Sequence, residues 1–150
     1  MKNKNKKLGE LLLGYEMISP DNLKKALKVQ KENNKRIGET LIELNIVTQD
    51  QINWILGKQL DIPYVQIEKE QLDLDLIKRF PEYLIKNYRL IPMVEVEDKM
   101  VIAMADPIDD EAIQKIKSNF KGDFEVVLAS FRNITDIINY INTEFPEIWQ

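Results

Sequence analysis

Residues 7–30 and 36–59 are two copies of one pattern, and no other feature of the chain limits its fold so strongly. Lys7-Leu8-Gly9-Glu10-Leu11-Leu12-Leu13 returns 29 residues later as Arg36-Ile37-Gly38-Glu39-Thr40-Leu41-Ile42. The same offset carries Met17-Ile18-Ser19 to Ile46-Val47-Thr48, Leu23 to Ile52, Leu27 to Leu56 and Gln30 to Gln59. A polar spacer, Lys31-Glu32-Asn33-Asn34-Lys35, separates the copies. Each copy predicts a short helix, a turn and a longer helix. Ser19 suits an N-cap and Pro20 the first helical position. Thr48-Gln49-Asp50-Gln51 has the form of a capping box. Beyond these caps, Leu23, Ala26 and Leu27, then Ile52, Ile55 and Leu56, recur at helical spacing. Residues 1–60 are therefore expected to form a four-helix lobe of two tandem helical hairpins.

From residue 61 the rhythm changes. Residues 63–67, 90–96, 100–104 and 124–128 read as extended runs. Residues 73–87 read as helix, interrupted or restarted at Pro81. Glu97-Asp98-Lys99 suits a hairpin loop, and the lack of glycine leaves its turn type open. Asp109 caps a helix running to about Asn119. Ser130 leads into a last helix with Ile134, Ile137, Ile138 and Ile141 on one face. The order β-α-β-β-α-β-α predicts a small α+β lobe over residues 61–150, and an α+β class for the chain.

The 150 residues, 44% of them hydrophobic and 31% charged, are enough for a core under a well-solvated surface. The chain has no cysteine and no histidine. Disulfides, thiolate chemistry, cysteine-ligated zinc and every histidine-based nucleophile system are excluded. No apolar run approaches the ~20 residues of a membrane span, and the short Leu11-Leu12-Leu13 run is too brief for a signal peptide. A cytoplasmic location is expected. A phosphate-binding loop is missing: the nearest approach, Gly9 to Gly14, is followed by Tyr15-Glu16 rather than Lys-Ser/Thr. The residues present are thus read as non-catalytic, either the front end of a larger enzyme or a free-standing relative. Lys2, Lys4, Lys6 and Lys7 lack interleaved aromatics and the net charge is −4, so no DNA or RNA partner is expected. Asp109 and Asp110 stand where a helix should start, and capping is their expected role.

The paired pattern of a basic residue, Leu or Ile, Gly, spaced aliphatics and a closing Gln resembles the MshEN domain, a tandem-repeat cyclic di-GMP receptor at the front of type II secretion and type IV pilus ATPases. The second lobe agrees. Leu60-Asp61-Ile62-Pro63-Tyr64-Val65, Phe80-Pro81-Glu82, Leu90-Ile91-Pro92-Met93 and Ala103-Met104-Ala105-Asp106-Pro107 are similar to the amino-terminal domain of general-secretory-pathway E-type ATPases. The likeness covers roughly residues 7–145. It implies cyclic di-GMP as candidate ligand, no cofactor, and partners in an inner-membrane secretion or pilus platform protein and the ATPase motor domain. It also implies a position peripheral to the inner membrane through those partners, without membrane insertion.

Cyclic di-GMP is a dianion of two guanines and two phosphates about a near-twofold ring, so a duplicated hairpin offers it two half-sites. The resemblance implies that Lys7 and Arg36 supply the cations; an arginine fork can pair with guanine or phosphate, whereas lysine is a point charge. Leu8, Leu23 and Leu27 would lie against one base, and Ile37, Ile52 and Leu56 against the other. Gln30 and Gln59 would hydrogen-bond polar edges. Gly9 and Gly38 would let the backbone come close. Asp106 would add a carboxylate from the second lobe. Each residue type also has a plainer role: core for the aliphatics, solvation for the glutamines, helix packing for the glycines, a turn before Pro107 for Asp106. Lys7 stands where the family usually has arginine, and Glu16 and Asn45 where it generally has glycine, which makes the half-site around Arg36 the better candidate. Two functions stay open: a second-messenger receptor, or a docking module that recruits the ATPase to platform proteins without nucleotide.

Overall fold

The computed structural model describes residues 8–107 and 109–149; Lys7, among the candidate site residues, lies outside them. The chain divides into two units, Met1–Leu60 and Asp61–Gln150. In the first, α1 (Leu8–Gly14), α2 (Pro20–Asn33), α3 (Ile37–Glu43) and α4 (Gln49–Gln59) follow the repeat. Both copies use the same local chemistry at matching positions. Ser19 Oγ accepts from Asn22 N at 3.1 Å, and Thr48 Oγ1 from Gln51 N at 3.1 Å, each covering an orphan donor of the longer helix. Gln51 returns the bond to Thr48 N at 2.9 Å, completing the capping box. The short helices close alike. Met17 N donates to Leu12 O and Ile46 N to Leu41 O, while Glu16 and Asn45 turn left-handed at φ 57° and 58°.

The core of this unit repeats the pattern again. Leu12 and Leu41, Ile18 and Val47, and Ala26 and Ile55 are matched positions, and all six are buried in one cluster. The period of the sequence is therefore the period of the packing.

The second unit is built on β1 (Leu90–Val96), β2 (Lys99–Met104) and β3 (Asp123–Leu128) in the order β1-β2-β3. The first pair is antiparallel and the second parallel. α5 (Leu74–Ile77), α6 (Glu82–Tyr88), α7 (Asp110–Asn119) and α8 (Phe131–Glu144) complete it. The break between α5 and α6 falls at Pro81, as its missing N–H requires. The register of β1 shifts between Pro92, which stands opposite Ile102 but has no N–H to donate, and Val94, opposite Val101, so that Met93 is the bulged residue. The β1–β2 turn has both Glu97 (φ 50°) and Asp98 (φ 64°) left-handed, the geometry of a type I′ hairpin. Asp109 Oδ1 accepts from Ala112 N at 3.1 Å and caps α7. The apolar face of α8, with Ile134, Ile137, Ile138 and Ile141, is buried in the unit's own core. Tyr88 donates its hydroxyl to Glu111 Oε1 at 2.6 Å, which pushes the phenol up to about 12.

One expected element is shorter than its sequence suggests. Residues 63–67, the first β of the β-α-β-β-α-β-α order, pair with β3 only through a single parallel bridge, Tyr64 to Leu128. Val65 N donates to Leu128 O and Leu128 N to Pro63 O, both at 2.8 Å. The ladder then stops because a side chain takes over. Asn133 Oδ1 accepts from Ile67 N at 2.7 Å and Asn133 Nδ2 donates to Ile67 O at 3.1 Å.

Candidate functional site

The short helices α1 and α3 each begin with an aliphatic residue and a glycine, and the glycines explain how closely the hairpins fold. A Cβ at Gly9 would stand 2.9 Å from Leu23 Cδ1 of α2. A Cβ at Gly38 would stand 3.4 Å from Ile52 Cδ1 of α4, the residue matched to Leu23, and 3.2 Å from Leu8 Cδ2. The two glycines thus serve the same contact in each copy, and Gly38 also receives a side chain from the other copy.

This packing leaves a cavity of about 580 Å³, lined by Leu8, Gly9, Glu10, Leu23, Leu27, Gln30 and Ile37. Its size is within the range of small-molecule sites. Leu8, Leu23, Gln30 and Ile37 are half-buried, and Leu27 is 44% exposed. A half-exposed leucine on a helix face costs solvation unless something apolar covers it. The lining therefore offers aliphatic plates with an amide and a carboxylate beside them. Such a surface suits a flat ring with polar edges.

Five of the residues expected from the first copy and Ile37 of the second meet around this cavity: Leu8, Gly9, Leu23, Leu27, Gln30 and Ile37. The others are placed differently. Ile52 is buried in the core at 4% exposure. Leu56 and Gln59 are half-buried on α4. Arg36 is exposed and occupies the N-cap of α3 with no side-chain cap bond, while its carbonyl accepts from Thr40 Oγ1 at 3.1 Å. None of these four, nor Gly38, lines the cavity. Asp106 belongs to the second unit, half-buried in the bend after β2, where its carbonyl accepts from Asp109 N.

The asymmetry has a visible source. The matched positions Leu23 and Ile52 differ in burial, and Leu27 is more exposed than Leu56. The cavity therefore opens over the first copy, while the arginine lies in the second. Sequence reasoning missed Glu10, although the recurrence of an acid at Glu39 was a signal that could have found it. Trp54 is half-buried against the helical core and meets Tyr15 edge-on at 5.6 Å, a packing role. No group of acidic side chains suited to a metal occurs among the described residues.

A family profile described as the MshEN domain matches residues 60–144. The chain is 28% identical over 132 residues to the type IV pilus assembly ATPase PilB of Myxococcus xanthus (strain DK1622). That alignment takes in 88% of the chain but 23% of the relative, so the chain spans about a quarter of that protein's length. The solved structure of MshE with cdg superposes with a TM-score of 0.73 at 30% identity, covering 91% of this chain and 99% of that one. The N-terminal domain of XpsE superposes with a TM-score of 0.63 at 20% identity, over 88% of this chain and 91% of that one, a likeness of fold.

Proposed function

Because the chain belongs to the MshEN domain family, we propose that it is the amino-terminal regulatory domain of a secretion or pilus-assembly ATPase and that it binds cyclic di-GMP. The observation that carries this reading is the cavity of about 580 Å³ in the duplicated hairpin unit, lined mainly by aliphatic side chains with Gln30 and Glu10 as its polar edge. The structure of MshE with cdg, the abbreviation of cyclic di-GMP, supports the choice of ligand.

In this reading one guanine lies on Leu8, Leu23 and Leu27, and Gln30 bonds a polar edge. Ile37 reaches the same cavity from the second copy, which makes the ligand a bridge between hairpins. Arg36 lies exposed one residue before Ile37 and supplies positive charge to a dianion. Lys7 contributes the matching charge in the first copy. The nucleotide regulates by binding one arrangement of the parent protein more tightly than another, and its differential affinity sets the size of the shift. The motor is a separate part of that parent, and the partner is a platform protein at the cytoplasmic face of the inner membrane.

Calorimetric titration of the full chain with cyclic di-GMP tests the proposal. The expected result is saturable binding with a Kd at or below about 10 μM. Leu27→Asp and Arg36→Ala each weaken it about tenfold or more. Leu27 is exposed, so its replacement leaves the helical unit folded, which circular dichroism checks. Absence of saturable heat at several times that concentration, with a folded protein, overturns the reading.

A further inference from the structure

Among the described residues, Glu10 is the one ionisable side chain that lines the cavity. It is exposed, and it makes no side-chain ion pair or hydrogen bond among the described residues. Its place in the first turn of α1 complements the helix dipole, and Glu39 does the same for α3. That shared role does not account for the difference between them. Glu39, 29 positions on, does not line the cavity, whereas Glu10 does.

A carboxylate can only accept hydrogen bonds. Beside aliphatic plates it is compatible with a bound ligand when the ligand presents N–H donors to it, and otherwise it pays for lost hydration. Resting on the reading that a guanine occupies this cavity, we propose that Glu10 is the residue that distinguishes guanine from adenine. Guanine carries two parallel donors on its pairing edge, the N1–H and the 2-amino group. Both can point at the two carboxylate oxygens, giving charge-assisted bonds. Adenine turns the lone pair of its own N1 toward the same oxygens and keeps a single amino donor nearby. The mismatch leaves polar groups unpaired, which is the most selective kind of rejection a site can offer. The same negative charge repels phosphate, so Glu10 also directs the base, rather than the backbone, to this end of the cavity.

The test is calorimetric titration of the full chain, Glu10→Gln and Glu39→Gln with cyclic di-GMP and with cyclic di-AMP. The wild-type chain is expected to prefer the guanine ligand by about 100-fold or more. Glu10→Gln is expected to cut that ratio about tenfold or more, weakening cyclic di-GMP and strengthening cyclic di-AMP, because an amide pairs one donor and one acceptor as adenine does. A simple loss of structure would weaken both ligands together, so the opposite signs are the signature. Glu39→Gln is expected to leave the ratio unchanged. An unaltered ratio in Glu10→Gln, an equal change in Glu39→Gln, or a wild-type chain indifferent to the base overturns the role of Glu10 and leaves cyclic di-GMP binding standing. A wild-type chain that binds neither ligand overturns both.

Discussion

Asn133 is 8% exposed, and its amide closes both backbone groups of Ile67, accepting at 2.7 Å and donating at 3.1 Å. In effect it substitutes for a neighbouring strand at the point where the bridge to β3 ends. Removing it leaves a buried N–H and a buried C=O without partners, and each such group costs about 1–3 kcal/mol. Asn133→Ala is therefore expected to destabilise the second unit by about 2–4 kcal/mol, read as a lower urea midpoint with an unchanged slope. A loss under about 0.5 kcal/mol would show that water replaces the amide and that the double bond is incidental. The sequence holds no sign of this role. Three residues after an N-cap serine, an asparagine reads as a polar helix-surface residue, and its partner lies 66 positions away. Glu10 was hidden for a different reason. A first-turn acid has a sufficient local explanation, and only the cavity separates it from Glu39.

At the scale of elements, most of the first unit was legible because local chemistry decides it. Caps at Ser19 and Thr48 start the longer helices, and the repeat places the turns. The second unit was legible in order but not in extent: residues 63–67 are apolar enough for a strand, yet their pairing depends on groups far along the chain. The hairpin turns offer the sharpest contrast between the copies. Both turn residues are left-handed, but asparagine tolerates that backbone and glutamate pays for it, on the order of 1–2 kcal/mol for an ordinary side chain. Glycine there carries no such cost, although it loses more freedom on folding, by about 0.5–1 kcal/mol. Glu16→Gly should then raise the stability of the helical unit by roughly 0.5–1 kcal/mol. Asn45→Gly should change it by less, about 0.5 kcal/mol or under. Paired urea titrations measure the difference; equal effects, or a loss at Glu16, would mean that the Glu16 side chain earns its place by a contact and not despite its backbone.

Across the whole molecule, two separate buried clusters correspond to the two units. A protein with one core per unit has two places where stability can fail, and damage to one need not reach the other. The candidate ligand cavity lies in the first unit, beside the smaller cluster, so binding should follow that cluster's integrity. Leu41 tests this. It is fully buried and matched by the repeat to Leu12, so truncation leaves a cavity that the opposite copy is already using its own leucine to avoid. Leu41→Ala should cost about 2–5 kcal/mol. The chain supplies a reporter for each unit, Trp54 in the helical cluster and Trp149 packed on the other. With Trp149→Phe as background, the Trp54 fluorescence transition should move to much lower urea in Leu41→Ala. With Trp54→Phe as background, the Trp149 transition should stay where it was, and cyclic di-GMP should raise the Trp54 transition alone, by RT ln(1 + [L]/Kd). If both tryptophan signals fall together in Leu41→Ala, the clusters unfold as one cooperative body and the division of stability between them is refuted.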